Sequence, residues 1–169
     1  MKRAAETQMD SASALADQAA GSTDSIPVEK ALAVSLLRAR EAVMFHMRPV
    51  LRSHGATEQQ WRVLRSLNTT DPIDKTSLAQ RSMLLMPSLL RILKDLKAGG
   101  LIRLVRSPTN RRLSGVILTA RGAEYASKVS ADIGAKNIVV RKAIGESTVD
   151  DLLALLRKLE VQLLSLRDR

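Results

Sequence analysis

Residues 76–105 read TSLAQRSMLLMPSLLRILKDLKAGGLIRLV, and a change of hydrophobic period inside this stretch decides the fold. Asp74, just upstream, can accept from the free N–H groups of a helix's first turn, so a short helix is expected over Lys75–Arg81 with Leu78 and Ala79 inward. After a brief turn, Pro87 suits the first position of a second helix, where its missing N–H costs nothing. At about 100° per residue, Leu89, Ile92, Leu93 and Leu96 gather on one face. Pro87, Leu90, Arg91 and Lys94 point the other way, and Ser88 lies at the flank in the first turn. Gly99-Gly100 ends the helix, and the period changes. Leu101–Arg106 and Leu113–Leu118 read as two short strands joined by the polar loop Ser107-Pro108-Thr109-Asn110-Arg111-Arg112. Two short helices followed at once by a basic hairpin make a helix-turn-helix with a wing.

Upstream, Thr57-Glu58-Gln59-Gln60 has the form of a capping box opening a helix with Trp61, Leu64 and Leu67 inward. Asn68 to Pro72 ends that helix. Before it, Pro27 opens a long helix whose apolar stripe is Leu32, Leu36, Ala39, Val43 and Met47. Pro49 is expected to kink or restart this helix before it ends at His54-Gly55. Downstream of the hairpin, Thr119 caps a helix running to about Ile144. Gly145 separates it from a last helix, capped by Ser147 or Thr148, with Asp150 and Asp151 in its first turn and Arg167 near its end. The fold class is therefore mainly α with a small β-hairpin: a winged helix-turn-helix over residues 57–118, with dimerisation helices over 26–56 and 119–169. Residues 1–25, rich in Ala, Ser, Asp, Gln and Gly, are expected to form a disordered tail.

The 169 residues are 45% apolar, but hold one Trp, one Tyr and one Phe, so the core must be aliphatic. The formal charge is +10. In the tail, Lys2 and Arg3 face Glu6, Asp10, Asp17 and Asp24, so the basic charge belongs to the remainder of the chain. Such a body attracts polyanions by counterion release, although charge alone leaves RNA and membrane surfaces open. No apolar run reaches the roughly 18–20 residues of a membrane span. A surface-bound amphipathic helix would want aromatic anchors, which are scarce, so no membrane partner is expected. The start MKR is followed by polar residues rather than a secretory apolar core, and there is no Cys. A cytoplasmic protein without disulfides or thiolate metal sites is expected. With two His far from acidic clusters and no phosphate-binding glycine loop, neither an enzyme nor a cofactor or metal is expected.

From Ser88 to Arg121 the cations are Arg91, Lys94, Lys97, Arg103, Arg106, Arg111, Arg112 and Arg121, against Asp95 alone. An ordinary solvated helix face does not account for that bias across both a helix and a hairpin. A helix in the major groove contacts bases through its N-terminal half. Arg91 is thus the first candidate for base readout, with guanine its geometric partner. Ser88 suits a base or a phosphate, and Leu90 a thymine methyl. Arg111 and Arg112 at the hairpin tip would reach a minor groove or its phosphates. Arg81, Pro87, Arg106, Thr109 and Asn110 complete the expected DNA surface.

At these residues the chain resembles the MarR family. TEQQWRVLRSL looks like its second helix, residues 76–105 like its helix-turn-helix and first wing strand, and RSPTNRRLSGVILTARG like its wing, ending in Leu118-Thr119-x-x-Gly122. The resemblance covers roughly residues 28–167. It implies that Arg112 is the wing arginine inserted into the minor groove. Asn110 stands where an Asp usually partners that arginine, so the preorganised ion pair at the tip is in doubt. REAVMFHMRPVLRSHGATEQQWRVLRSL is similar to the homoprotocatechuate-degradation operon repressors, which implies a response to aromatic acids.

Leu152, Leu156, Leu159, Leu163 and Leu166 step by four, three, four and three along the last helix, and Leu153, Leu155 and Leu164 widen the stripe. This suits a simple core or a second copy of the chain. The resemblance implies the latter, with Leu32 and Leu36 of the first helix joining a homodimer interface. A two-fold dimer implies a palindromic operator in double-stranded DNA. For an aromatic acid effector the candidates are Arg40, His46 and Trp61, a cation and aromatic set suited to a carboxylate on a ring. Trp61 equally suits the core, and His46 and Arg40 a solvated flank or a dimer contact. A ligand-responsive repressor and an effector-independent or architectural DNA-binding protein both fit this sequence.

Overall fold

In a computed structural model the described residues are 31–68, 71–106 and 114–166, with Arg106 and Ser114 described in their backbone alone. They form helices α1 (Leu32–Ser53), α2 (Glu58–Ser66), α3 (Lys75–Ser82), α4 (Met86–Ala98), α5 (Ala120–Ile144) and α6 (Glu146–Ser165). The strands are β1 (Ile73–Asp74), β2 (Ile102–Arg106) and β3 (Ser114–Leu118). The chain divides into two compact units, residues 1–41 and 42–169. Of the first, the structure describes the opening turns of α1. The expected tail over 1–25 and the helix start at Pro27 lie outside the described residues, as do the wing tip over 107–113 and Arg167.

The caps form as their side chains dictate. Thr57 Oγ1 accepts from the Gln60 N–H at 3.1 Å while Gln60 Oε1 accepts from the Thr57 N–H at 2.9 Å, the reciprocal capping box. Asp74 accepts from the Ser77 N–H at 2.9 Å and from its hydroxyl at 2.5 Å. These bonds hold the Asp74 carboxyl below its ordinary pKa, the Ser77 hydroxyl being the largest cause. Thr119 caps α5 by accepting from the Gly122 N–H at 3.0 Å.

Three expectations need correction, and the expected hairpin gains a third strand. Of the kink or restart expected at Pro49, the restart does not occur: α1 is one continuous 22-residue helix, in which a single proline forfeits one i→i−4 bond. Pro87 follows Met86 in α4, so it takes the second helical position instead of the first; the second position's N–H is equally free of an intrahelical partner. The cap of α6 is Gly145, at φ 102°, instead of Ser147 or Thr148. A glycine alone tolerates that turn cheaply, and it brings Glu146 instead of Asp150 into the first turn. Finally, the hairpin is part of a three-stranded antiparallel sheet ordered β1-β3-β2, with Ile73 opposite Val116. Two residues carry no period, so β1 exists only through its partner strand.

The core of the second unit is aliphatic. Leu51, Leu64, Leu67, Leu78, Leu89, Val63, Val116 and Val129 are fully buried, drawn from α1, α2, α3, α4, β3 and α5. Tyr125 straps the end of α1 to α5: its hydroxyl donates to the His54 carbonyl at 2.8 Å, while the His54 ring meets Asp132 Oδ2 at 2.8 Å.

Candidate nucleic-acid interface

Helix α4 is amphipathic in the sense the sequence requires. Leu89, Ile92, Leu93 and Leu96 are all buried. That anchorage turns Pro87, Leu90, Arg91 and Lys94 to solvent, with Ser88 half-buried at the flank. Among the described residues, neither Arg91 nor Lys94 has a hydrogen-bond or ion-pair partner. The Leu85 N-cap makes no side-chain bond, and the first turn holds no acid. The positive end of the helix dipole and its free N–H groups therefore remain available beside Arg91.

The strand β2 pairs with β3 along its whole length, from Ile102 opposite Leu118 to Arg106 opposite Ser114. It leaves Arg103 exposed. Thr109, Asn110, Arg111 and Arg112, the expected wing tip, lie outside the described residues. Arg81 is exposed in the last turn of α3 and lines a groove of about 270 Å³ with Asp71, Asp74 and Ser77. It thus stands among carboxylates, unlike Arg91.

Trp61 is buried, 7% exposed, within the aliphatic core, the alternative that its sequence position left open. His46 is exposed on α1 and stacks edge-on against Phe45, ring centres 5.5 Å apart. Arg40 pairs with its neighbour Glu41 at 2.6 Å. Leu32 and Leu36 are exposed on α1. On α6, Leu152 and Leu163 are exposed and Leu156 and Leu159 half-buried, Leu166 at its C-cap is exposed, and no residue of that helix is buried.

Two features were not legible as sites. A groove of about 440 Å³ opens beside His54, Gly99, Leu101 and the first turns of α5. Its cations Arg121 and Lys128 are offset by Glu124, which holds Lys128 at 2.7 Å. Separately, the turn between α3 and α4 exposes Met83 and Leu85. Their apolar letters look like core in a linear reading.

Residues 56–114 match the MarR family. The homoprotocatechuate degradative operon repressor of Escherichia coli is 35% identical over 102 residues, covering 60% of this chain and 69% of that protein. The chain belongs to the MarR family. The expected likeness to homoprotocatechuate repressors is carried by that relative. Among solved structures, the transcriptional regulator PA4135 is similar with a TM-score of 0.72 and 35% identity, over 77% of this chain and 96% of that one. NadR in complex with 4-hydroxyphenylacetate is similar with a TM-score of 0.65 and 30% identity, over 75% and 89%. Within this MarR-family chain, α3 and α4 are the helix-turn-helix, and β2 and β3 carry the wing. Among the described residues no helix is long and apolar enough to cross a membrane.

Proposed function

We propose that this protein is a cytoplasmic, dimeric repressor that binds a palindromic operator in double-stranded DNA and is released by a small aromatic carboxylate. The observation that carries the DNA reading is the solvent face of α4. Arg91 and Lys94 on it lack partners among the described residues, while Leu89, Ile92, Leu93 and Leu96 on the opposite face are committed to the core. Arg91 presents a planar fork of donors suited to the O6 and N7 of guanine, and Lys94 suits a phosphate. Arg112 and Arg111 serve the minor groove beside it, with Asn110 leaving the tip one negative charge short of the usual arrangement.

Dimerisation is supported by the leucines of α6, too numerous and too exposed for a helix that ends its packing within one chain. Leu32 and Leu36 offer the same kind of surface on α1. A two-fold pair would set two copies of α4 about 34 Å apart, one turn of DNA.

The effector class rests on relatives: one is named for a homoprotocatechuate operon, and another was crystallised with 4-hydroxyphenylacetate. His46, exposed on α1, and Arg40 are the side chains of this chain suited to a carboxylate. A ligand releases DNA only if it binds the two states with different affinity. Operator binding measured against phenylacetates, hydroxyphenylacetates, benzoates and cinnamates tests the effector. Release by one class supports the proposal. Retention with every acid assigns an effector-independent or architectural DNA-binding protein instead.

A further inference from the structure

Met83 is the one described residue other than glycine with a positive φ, at φ 51° and ψ 49°. Helices commonly end in this left-handed conformation, but at a glycine, because a Cβ clashes there with the backbone. The turn itself is held by main-chain bonds. The Met83 N–H donates to the Gln80 carbonyl at 3.0 Å and the Leu84 N–H to the Ala79 carbonyl at 2.9 Å. Arg62 of α2 donates to the Met83 carbonyl at 3.3 Å. None of these bonds uses the Met83 side chain, which stands 78% exposed. Leu84 turns in against the core, and Leu85 stands 79% exposed. The fold thus spends a strained backbone position on a large apolar group that it does not bury. Strain retained without a packing return points to a use at the surface.

We propose that Met83 and Leu85 form an apolar edge that meets thymine 5-methyl groups in the major groove, beside the bases that Arg91 reaches. This rests on the DNA reading of α4 given above. The edge directly precedes the first turn of α4, the helix that carries exposed Leu90 and the cations Arg91 and Lys94, unpartnered among the described residues. An apolar turn that leads into a helix bearing exposed cations, with no acid in its first turn, suits a polyanion whose grooves also offer apolar groups. Of the four bases only thymine presents a methyl group in the major groove, the others showing polar atoms there. Guanine contact by Arg91 and methyl contact by the neighbouring edge therefore select different base pairs, so the two readouts are separable.

The test begins with an operator selected by the wild-type protein from random duplexes. Each thymine is then replaced singly by uracil, which removes one methyl and leaves pairing intact. Wild-type affinity is expected to fall about fourfold at one or more thymines in each half-site, the factor for uncovering one methyl-sized group. Met83→Gly combined with Leu85→Ser should bind with no such loss at those thymines. Both changes favour the fold, one by relieving the left-handed Cβ and the other by supplying an N-cap oxygen. A thermal midpoint at or above wild type will show this. Specific binding by wild type with every uracil neutral overturns the inference and leaves the DNA reading intact. Uracil sensitivity that persists in the double variant also overturns it, and assigns the methyl contact to Leu90 or another residue. Failure of the wild type to select any sequence overturns both readings.

Discussion

Gly122, in the first turn of α5, lies flush against the carbonyl of Leu101: a Cβ built on it would sit 1.8 Å from that oxygen. Two further bonds close the same junction. The Thr119 N–H donates to the Leu101 carbonyl at 3.0 Å, and the Thr119 hydroxyl donates to the Gly100 carbonyl at 2.7 Å. The Leu118-Thr119-x-x-Gly122 pattern is thus a lock between the end of α4, the start of β2 and the start of α5. It sets α4 and the wing on one frame. Gly122→Ala has no flexible side chain to push aside, only backbone. It should cost about 3 kcal/mol, the upper end for overpacking, and lower the urea midpoint accordingly. An unchanged midpoint would contradict the contact.

Arg91 and Arg112 should fail differently. Arg91→Ala is expected to weaken operator binding by about 1–3 kcal/mol while sparing random-sequence DNA, as loss of a bidentate base contact does. Arg112→Ala should weaken binding more evenly across sequences. Titrations of both variants on operator and random duplexes decide this, and equal losses for Arg91→Ala on the two DNAs would exclude base readout.

Charge placed on α6 should separate the protomers. Leu163 is exposed in the single chain, so Leu163→Glu has little reason to disturb the protomer's own core. In the proposed dimer the same carboxylate would be buried without a partner. Sedimentation should show a monomer at concentrations where wild type is dimeric, with operator affinity reduced by at least tenfold. A dimer of unchanged strength would move the interface elsewhere.

The α3 cap should report on acid. A carboxyl whose folded pKa is lowered adds stability above its unfolded pKa and loses it as pH falls through the folded value. The Asp74 carboxyl is held below its reference value of 3.8 by its bonds to Ser77. Asp74→Ala should therefore melt below wild type by a constant margin above about pH 5. The margin should shrink as the pH falls below 3.8. Thermal melts of both proteins from pH 3 to 7 test this, and a margin that widens in acid would be incompatible with the cap.

Much of this was legible in the residues because it is local. The capping box of Thr57 and Gln60, the Asp74 cap, the inward face of α4 and the Thr119 start of α5 need only neighbours three or four positions away. The positions the sequence left undecided are those where a letter has two meanings. Trp61 suits a ligand or a core equally until the packing around it is known. Met83 and Leu85 drew no assignment, because apolarity in a linear pattern does not show which way a turn directs its side chains.

What the sequence alone determined was the order of helices and hairpin, and the cationic face of α4, since periods and caps act over single turns. Tertiary structure decided the rest. It paired Ile73 with Val116 to make a third strand, left Met83 strained and exposed, and showed why Gly122 must lack a Cβ. Each of these depends on atoms distant along the chain meeting in space, an event that no local period encodes.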